Sequence, residues 1–226
     1  MHPRTTIPCI VLLFLSIHMI AQTGYSVEYQ RKLLGDTTTS AGQWPNKILL
    51  SRLVFDDTAS YFYHLSQDIR KDPFKERKIY GLKLDNHSWY FNPGKNILAE
   101  GHHLKTAGKP FLVLDTALRF NWVLLSDTKI IGGYNCFAAL SVNNKNDSTL
   151  AYYTRDIPLR FGPAWYVGLP GLILEVYDQQ RGWHVQARKI EKKNITIGLP
   201  AKVGILSNEA YQKRKTLLTG GIRRGG

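Results

Sequence analysis

Gly168-Leu169-Pro170-Gly171-Leu172-Ile173-Leu174-Glu175-Val176-Tyr177 reads as a corner feeding a strand. Pro170 presets φ at the second place of a turn, and Gly171 accepts the positive φ that the third place of a type II turn requires. Beyond the corner, Leu172, Leu174 and Val176 share one face, and Ile173, Glu175 and Tyr177 share the other. That alternation predicts a strand with one fully apolar side. Gly168 adds a second flexible point, so the backbone here can pass close to another segment or to a ligand. Nothing in the corner is nucleophilic or titratable near neutral pH, which favours a structural corner.

The neighbouring segments repeat the same pattern. Trp183–Ile190 forms a hairpin with 172–177 around Asp178–Gly182. Upstream, Tyr134, Cys136, Ala138, Leu140 and Val142 alternate, Asn143–Ser148 is a polar turn, and Thr149–Asp156 returns. Residues 157–170 carry Pro158, Gly162-Pro163 and Pro170 and form an extended connection rather than a helix. Earlier strands are expected at 24–34, in a hairpin over 48–66 turned at Asp56-Asp57, at 77–84, 88–91 and 97–104, and at 109–114, 122–125 and 126–131. Gly35–Asn46 and 68–76 read as linkers, and Ile195–Ile197 as a last short strand. Ser207-Asn208-Glu209 caps and charges a helix that ends at Gly220-Gly221. About a dozen strands at hairpin spacing predict a strongly curved antiparallel sheet or an open β-barrel with a short C-terminal helix.

The 226 residues divide into a signal peptide (1–21), one β-rich domain (22–219) and a disordered tail (220–226). Arg4 followed by an apolar run from Ile7 to Ile20, too short for a comfortable membrane span, is the pattern of a secretory leader; Ala21 precedes the expected cut. An uncleaved anchor is the alternative. Cys9 lies inside the leader without a lipobox, so the mature chain keeps one cysteine, Cys136, and no internal disulfide. Cys136 sits mid-strand on an apolar face, which favours burial over reactivity. The net charge of +13 is dispersed apart from short clusters at 188–193 and 213–215, which serves solubility. It raises affinity for anionic envelope partners, and export argues against nucleic acid.

Chemistry-bearing patterns are sparse. His64, His87, His102, His103 and His184 show no zinc-ligand spacing, and His102 and His103 point to opposite faces of a strand. There is no GxSxG, no SxxK and no phosphate-binding loop around Gly132-Gly133. Asp156 and Glu175 read as a turn residue and an outward strand residue rather than an acid/base pair. Neither a metal nor a cofactor is expected. Tyr152, Tyr153, Trp165, Tyr166, Tyr177 and Trp183 crowd the centre, and a curved sheet lined by aromatics can hold an apolar ligand or a sugar.

Taken in order, Trp122, Asp127-Thr128-Lys129-Ile130-Ile131-Gly132-Gly133-Tyr134-Asn135-Cys136, Ala138, Ala151-Tyr152-Tyr153-Thr154-Arg155-Asp156-Ile157-Pro158, Gly162-Pro163 and Gly168–Leu174 resemble the GLPGLI family of exported bacterial proteins. The resemblance is specific over about 122–178 and weaker upstream, near Phe55–Leu65. Tyr152 stands where the family often has tryptophan, and Phe137 near a position often charged. The resemblance implies export to the periplasm or cell envelope and a mostly-β fold, and it supplies no catalytic residues.

The leading expectation is an exported, non-enzymatic binding protein. It holds a hydrophobic or glycan ligand, or an envelope partner, in a hollow bordered by the 155–171 connection. Arg155, Trp165, Tyr166, Gly168, Pro170 and Gly171 are the candidate contacts. The alternatives are an envelope hydrolase with its site assembled across strands, and a docking subunit using an exposed sheet edge.

Overall fold

A computed structural model describes residues 23–34, 49–65, 88–102, 111–115, 120–198 and 204–220. The leader, the 35–46 and 68–76 linkers, the 77–84 strand, His87, His103 and the tail beyond Gly220 lie outside the described residues.

Twelve strands form one open sheet: β1 (Thr23–Leu33), β2 (Leu49–Phe55), β3 (Ser60–His64), β4 (Trp89–Asn92), β5 (Ile97–His102), β6 (Phe111–Asp115), β7 (Val123–Ile131), β8 (Tyr134–Val142), β9 (Ser148–Thr154), β10 (Leu172–Asp178), β11 (Trp183–Asn194) and β12 (Gly204–Ser207). Their order is β12-β6-β5-β4-β3-β2-β1-β11-β10-β9-β8-β7. Helix α1 (Asn208–Gly220) follows β12, and the Ser207 hydroxyl caps it by accepting from the Ala210 N–H at 3.1 Å. The sheet is mixed rather than wholly antiparallel, because β12 pairs parallel to β6. Ile195 and Ile197 are buried but form no strand; they cover a sheet face instead.

The hairpins follow from local chemistry. Gly132 and Gly133 both take positive φ (58° and 86°) between the paired residues Ile131 and Tyr134, the φ pattern of a type I′ turn. In the β4–β5 turn Asn96 takes positive φ (51°). The two pieces expected over 122–131 are one strand with a bulge between Leu124 and Thr128.

Alternation sorts the side chains into two cores. On β2 to β5, Leu53, Phe55, Phe62, Trp89, Phe91 and Leu98 enter one, while Val54, Tyr61, Tyr63, Tyr90 and Ala99 enter the other. The 155–171 connection covers the first core and Ile195–Ile197 the second. The first covering shows how far the sheet curls. The Phe161 carbonyl accepts the Ile173 N–H of β10 at 2.9 Å, and the Phe161 ring lies 6.0 Å from Phe91 of β4. Those strands are five places apart in the sheet, roughly 24 Å if it were flat. One residue reaches both only because the sheet wraps around it.

The Gly168–Ile173 corner is not a type II turn. Gly171 does not take positive φ; its N–H bonds back to the Leu169 carbonyl at 2.8 Å, closing a γ-turn over Pro170. Glycine is required at 171 for proximity. A Cβ there would overlap the Thr154 carbonyl, whose carbon would lie 2.8 Å away. Positive φ falls instead on Gly168 (102°), whose Cα side faces the Trp122 ring.

Candidate functional site

Trp165 is the centre of the aromatic region. Its ring contacts Trp89 (5.1 Å), Tyr166 (5.4 Å) and Trp183 (5.8 Å), and the Arg181 guanidinium lies 4.5 Å over it. Two openings flank this cluster. One is a polar cleft of about 410 Å³, counted out to solvent, with Phe120 and Trp165 as its apolar walls. The other is a smaller apolar hollow between Pro163–Tyr166 and strands β1 to β4 and β11.

The cleft is built by two hairpins. Ser141 on β8 and Thr149 on β9 face each other in register, and both are buried. Neither hydroxyl has a hydrogen-bond partner among the described residues. The Trp165 Nε1–H is also buried, beside the Tyr166 hydroxyl, and completes no hydrogen bond in good geometry. Asn143 and Asp147 close one end: Asn143 donates to the Asp147 carboxylate at 3.1 Å and accepts from Lys145 and Asp147 N–H. Gln180 and Arg181 close the other. Arg181 is neutralised by Asp178, whose Oδ1 accepts the Arg181 N–H (2.9 Å) and whose Oδ2 accepts Nη1 (3.1 Å) and the Tyr166 hydroxyl (2.6 Å). The cleft therefore combines flat apolar faces, unpaired hydroxyl groups and little net charge.

The six residues singled out from sequence fall in different places. Trp165 lines the cleft and Tyr166 lines the hollow. Arg155 is exposed; it stacks 4.4 Å over Phe137, donates to the Tyr153 hydroxyl at 3.3 Å, and borders neither opening. Gly168 accepts from Arg160 through its carbonyl at 2.8 Å, Pro170 is exposed, and Gly171 is packed against Thr154. The corner thus shapes the connection and does not line the openings. Sequence reasoning missed Ser141, Thr149 and Gln180. The signal available for them was weak: two small polar residues interrupting apolar strands.

Glu175 is the largest correction to the sequence reading. Expected to point outward, it is 1% exposed. Its Oε1 meets His184 Nε2 at 2.7 Å and accepts from the Tyr177 hydroxyl at 3.1 Å, and its other oxygen pairs with Lys129. Lys129 also lies 3.8 Å over the Tyr152 ring, and Tyr177 stacks on His184 at 4.3 Å. Its ionic partner Lys129 comes from β7 and His184 from β11, so no local pattern announced them. Because its partners already occupy the carboxylate, the cluster reads as a structural knot rather than a poised acid/base group. Among the described residues no three His, Cys, Asp or Glu side chains converge as metal ligands.

Buried protonated groups make stability alkali-sensitive. Burial pushes the Cys136 thiol from 9.0 up to about 11. Burial, and then the Glu175 carboxylate, push Tyr177 from 10.0 up to about 12. Tyr29 and Tyr166 move in the same direction, chiefly through burial. Each group binds its proton more tightly folded than unfolded. Its contribution is complete below the unfolded value and is lost as pH rises through the folded one. Thermal melts should therefore show a melting temperature that begins to fall near pH 9 and keeps falling to pH 12. Cys136→Ala should remove the earliest part of that fall, between pH 9 and 11.

Comparisons with known proteins add the fold relationship. Residues 142–175 match a family model described as "Protein of unknown function (Porph_ging)". That stretch runs from the end of β8 through β9 and the connection into β10, so it includes Thr149, Trp165 and the Gly171 corner. No curated protein matches the chain significantly in sequence. Among solved structures, PNGF-II in a C2 crystal form superposes with a TM-score of 0.60 at 16% identity, over 87% of this chain and 33% of that one. A P21 form gives 0.59 and 17%, over 85% and 32%. The chain thus spans about a third of PNGF-II, and the likeness is one of fold.

Proposed function

We propose that this is an exported, non-enzymatic binding protein of the cell envelope, akin to the GLPGLI family it resembles, and that its ligand is a glycan held in the Trp165 cleft. One observation carries the reading: among the described residues the Ser141 and Thr149 hydroxyls, which line the cleft, have no hydrogen-bond partner and stand beside two aromatic faces. Hydroxyls that line a cleft without a protein partner are free to bond what enters it. A sugar ring offers what the cleft lacks, hydroxyls for those groups and a C–H face for the aromatic walls. The neutralised Arg181 disfavours a strongly anionic ligand here.

The alternatives have weaker support. For a hydrolase, Ser51 Oγ lies 2.8 Å from His64 Nδ1. But Ser51 is 2% exposed in mid-strand, paired in register on both sides, without the exposed placement a nucleophile needs. For edge docking, β7 is the terminal strand and exposes Val123, Leu124 and Ile130. Its bulge and the exposed Asp127 are devices that hinder further pairing, and the opposite edge, β12, is four residues long.

The test is a glycan array probed with the full chain, followed by calorimetric titration of the best hit. Thr149→Val and Gln180→Ala are each expected to weaken that hit by about tenfold, the cost of one hydrogen bond to a buried ligand. An array without hits, or a hit indifferent to both substitutions, overturns the reading.

A further inference from the structure

Asp147 is the charge left over in the Trp165 cleft. Among the described residues two charged side chains line that cleft, Arg181 and Asp147, one at each end. Arg181 is cancelled by Asp178, which accepts its N–H at 2.9 Å and its Nη1 at 3.1 Å. The half-buried Asp147 carboxylate has one partner among the described residues, the neutral Asn143 amide, which donates to Oδ2 at 3.1 Å. Lys145 shares the turn and is exposed, but its ammonium makes no ion pair with Asp147.

The hairpin aims this carboxylate into the cleft. The Asn143 N–H donates to the Asp147 carbonyl at 3.1 Å, which carries the β8–β9 pairing one residue past Val142 and Ser148. Residues two apart along a strand share a face. Asp147 therefore stands beside Thr149, and Asn143 beside Ser141. The free Oδ1 of Asp147 and the two unpartnered hydroxyls thus share one wall, with Phe120 and Trp165 as the apolar faces.

We propose that the glycan unit held in this cleft is an amino sugar whose amine is free and protonated, and that Asp147 takes the ammonium. The proposal rests on the glycan reading above and narrows it. An ammonium carries three N–H donors; Asp147 Oδ1 accepts one through a charge-assisted bond, and the Thr149 hydroxyl stands in line for a second. The faces of the aromatic walls attract a cation as well. A sugar hydroxyl in the same place donates one weaker bond, and an N-acetylated nitrogen is uncharged and has one N–H. A sugar acid would meet Asp147 as a like charge. The chain carries a net charge of +13, so its overall field repels a cationic sugar, and any preference for one arises in the cleft itself.

The experiment follows the indole N–H signals of the five tryptophans by NMR while the full chain is titrated at pH 6 with four methyl glycosides. Two are methyl glucosaminide and methyl galactosaminide, protonated there because such amines titrate near about 8. The others are methyl glucoside and methyl galactoside, which carry a hydroxyl in place of the amine. Expected is a saturable shift with at least one amino sugar, in about the millimolar range for so small a ligand. It should bind about five- to tenfold more tightly than its hydroxyl counterpart. Asp147→Asn should abolish that preference and leave the neutral sugar's binding as it was. Because the wild-type comparison of amine with hydroxyl needs no variant, a misfolded Asp147→Asn protein does not spare the proposal. Equal binding of the two kinds of sugar overturns the amino-sugar assignment and leaves the glycan reading standing. A preference retained by folded Asp147→Asn overturns the assignment too. No saturable response to any of the four also overturns it, and together with a blank glycan array removes the glycan reading as well.

Discussion

Gly171→Ala should lower the melting temperature by about 6–12 °C, corresponding to roughly 3 kcal/mol or more in a chain of this size. The cause is contact with backbone. A methyl group at 171 would overlap the Thr154 carbonyl and press on the Tyr153 ring, at 3.2 Å. Thr154 is fully buried in β9, and Leu172 pairs with it directly, so neither strand can yield without breaking the β9–β10 ladder. Gly171→Asn distinguishes this account from a type II turn. A turn glycine is partly replaced by asparagine, which tolerates positive φ; a close-approach glycine is not, so asparagine should be at least as damaging as alanine. Gly132→Ala is the contrast. It meets nothing within 4 Å and pays only for positive φ, roughly 1–2 kcal/mol.

Asp56→Ala should cost roughly 3–5 kcal/mol, because one fully buried carboxylate ties together segments 141 residues apart. Oδ1 accepts from the Thr58 N–H (2.8 Å), the Thr58 hydroxyl (2.7 Å) and the Ala59 N–H (2.9 Å), which shapes the β2–β3 turn. Oδ2 accepts the Ile197 N–H at 2.6 Å, which holds the 195–197 segment over the second core. Alanine removes all four acceptances and leaves two buried N–H groups unsatisfied. Hydrogen exchange should locate the damage: the Ile197 amide loses protection along with the β2–β3 turn, while the β9–β10 ladder keeps its own. If Ile197 stayed protected, the carboxylate would not be the clasp described here.

These two residues show what could be read from the chain and what could not. Asp56 was legible as a turn residue, because Asp56-Asp57 sits between two apolar runs. Its hold on Ile197 was not, because a carboxylate carries no record of a partner far along the chain. Gly171 was legible as a corner, but Pro-Gly chemistry suggested positive φ where the structure uses the missing side chain. The hairpins of β2–β3, β8–β9 and β10–β11 follow from alternation and turn residues, which are local. The parallel β12–β6 pair was missed, since four residues, Gly204–Ser207, carry no periodicity and the pairing is remote. The aromatic crowding between Tyr152 and Trp183 pointed to the region where the structure places the two openings. The polar lining did not show, since Ser141 and Thr149 become neighbours only through β8–β9 register.

The central claim is that the Trp165 cleft holds a glycan. Native mass spectrometry of the full-length product purified from cells that make it naturally tests this most directly. The account predicts an added, non-covalent mass that is lost on denaturation, resolves into sugar residues on fragmentation, and is depleted in Thr149→Val. A wild-type protein that carries only its own mass, and gains none when incubated with the host's envelope glycans, would contradict it.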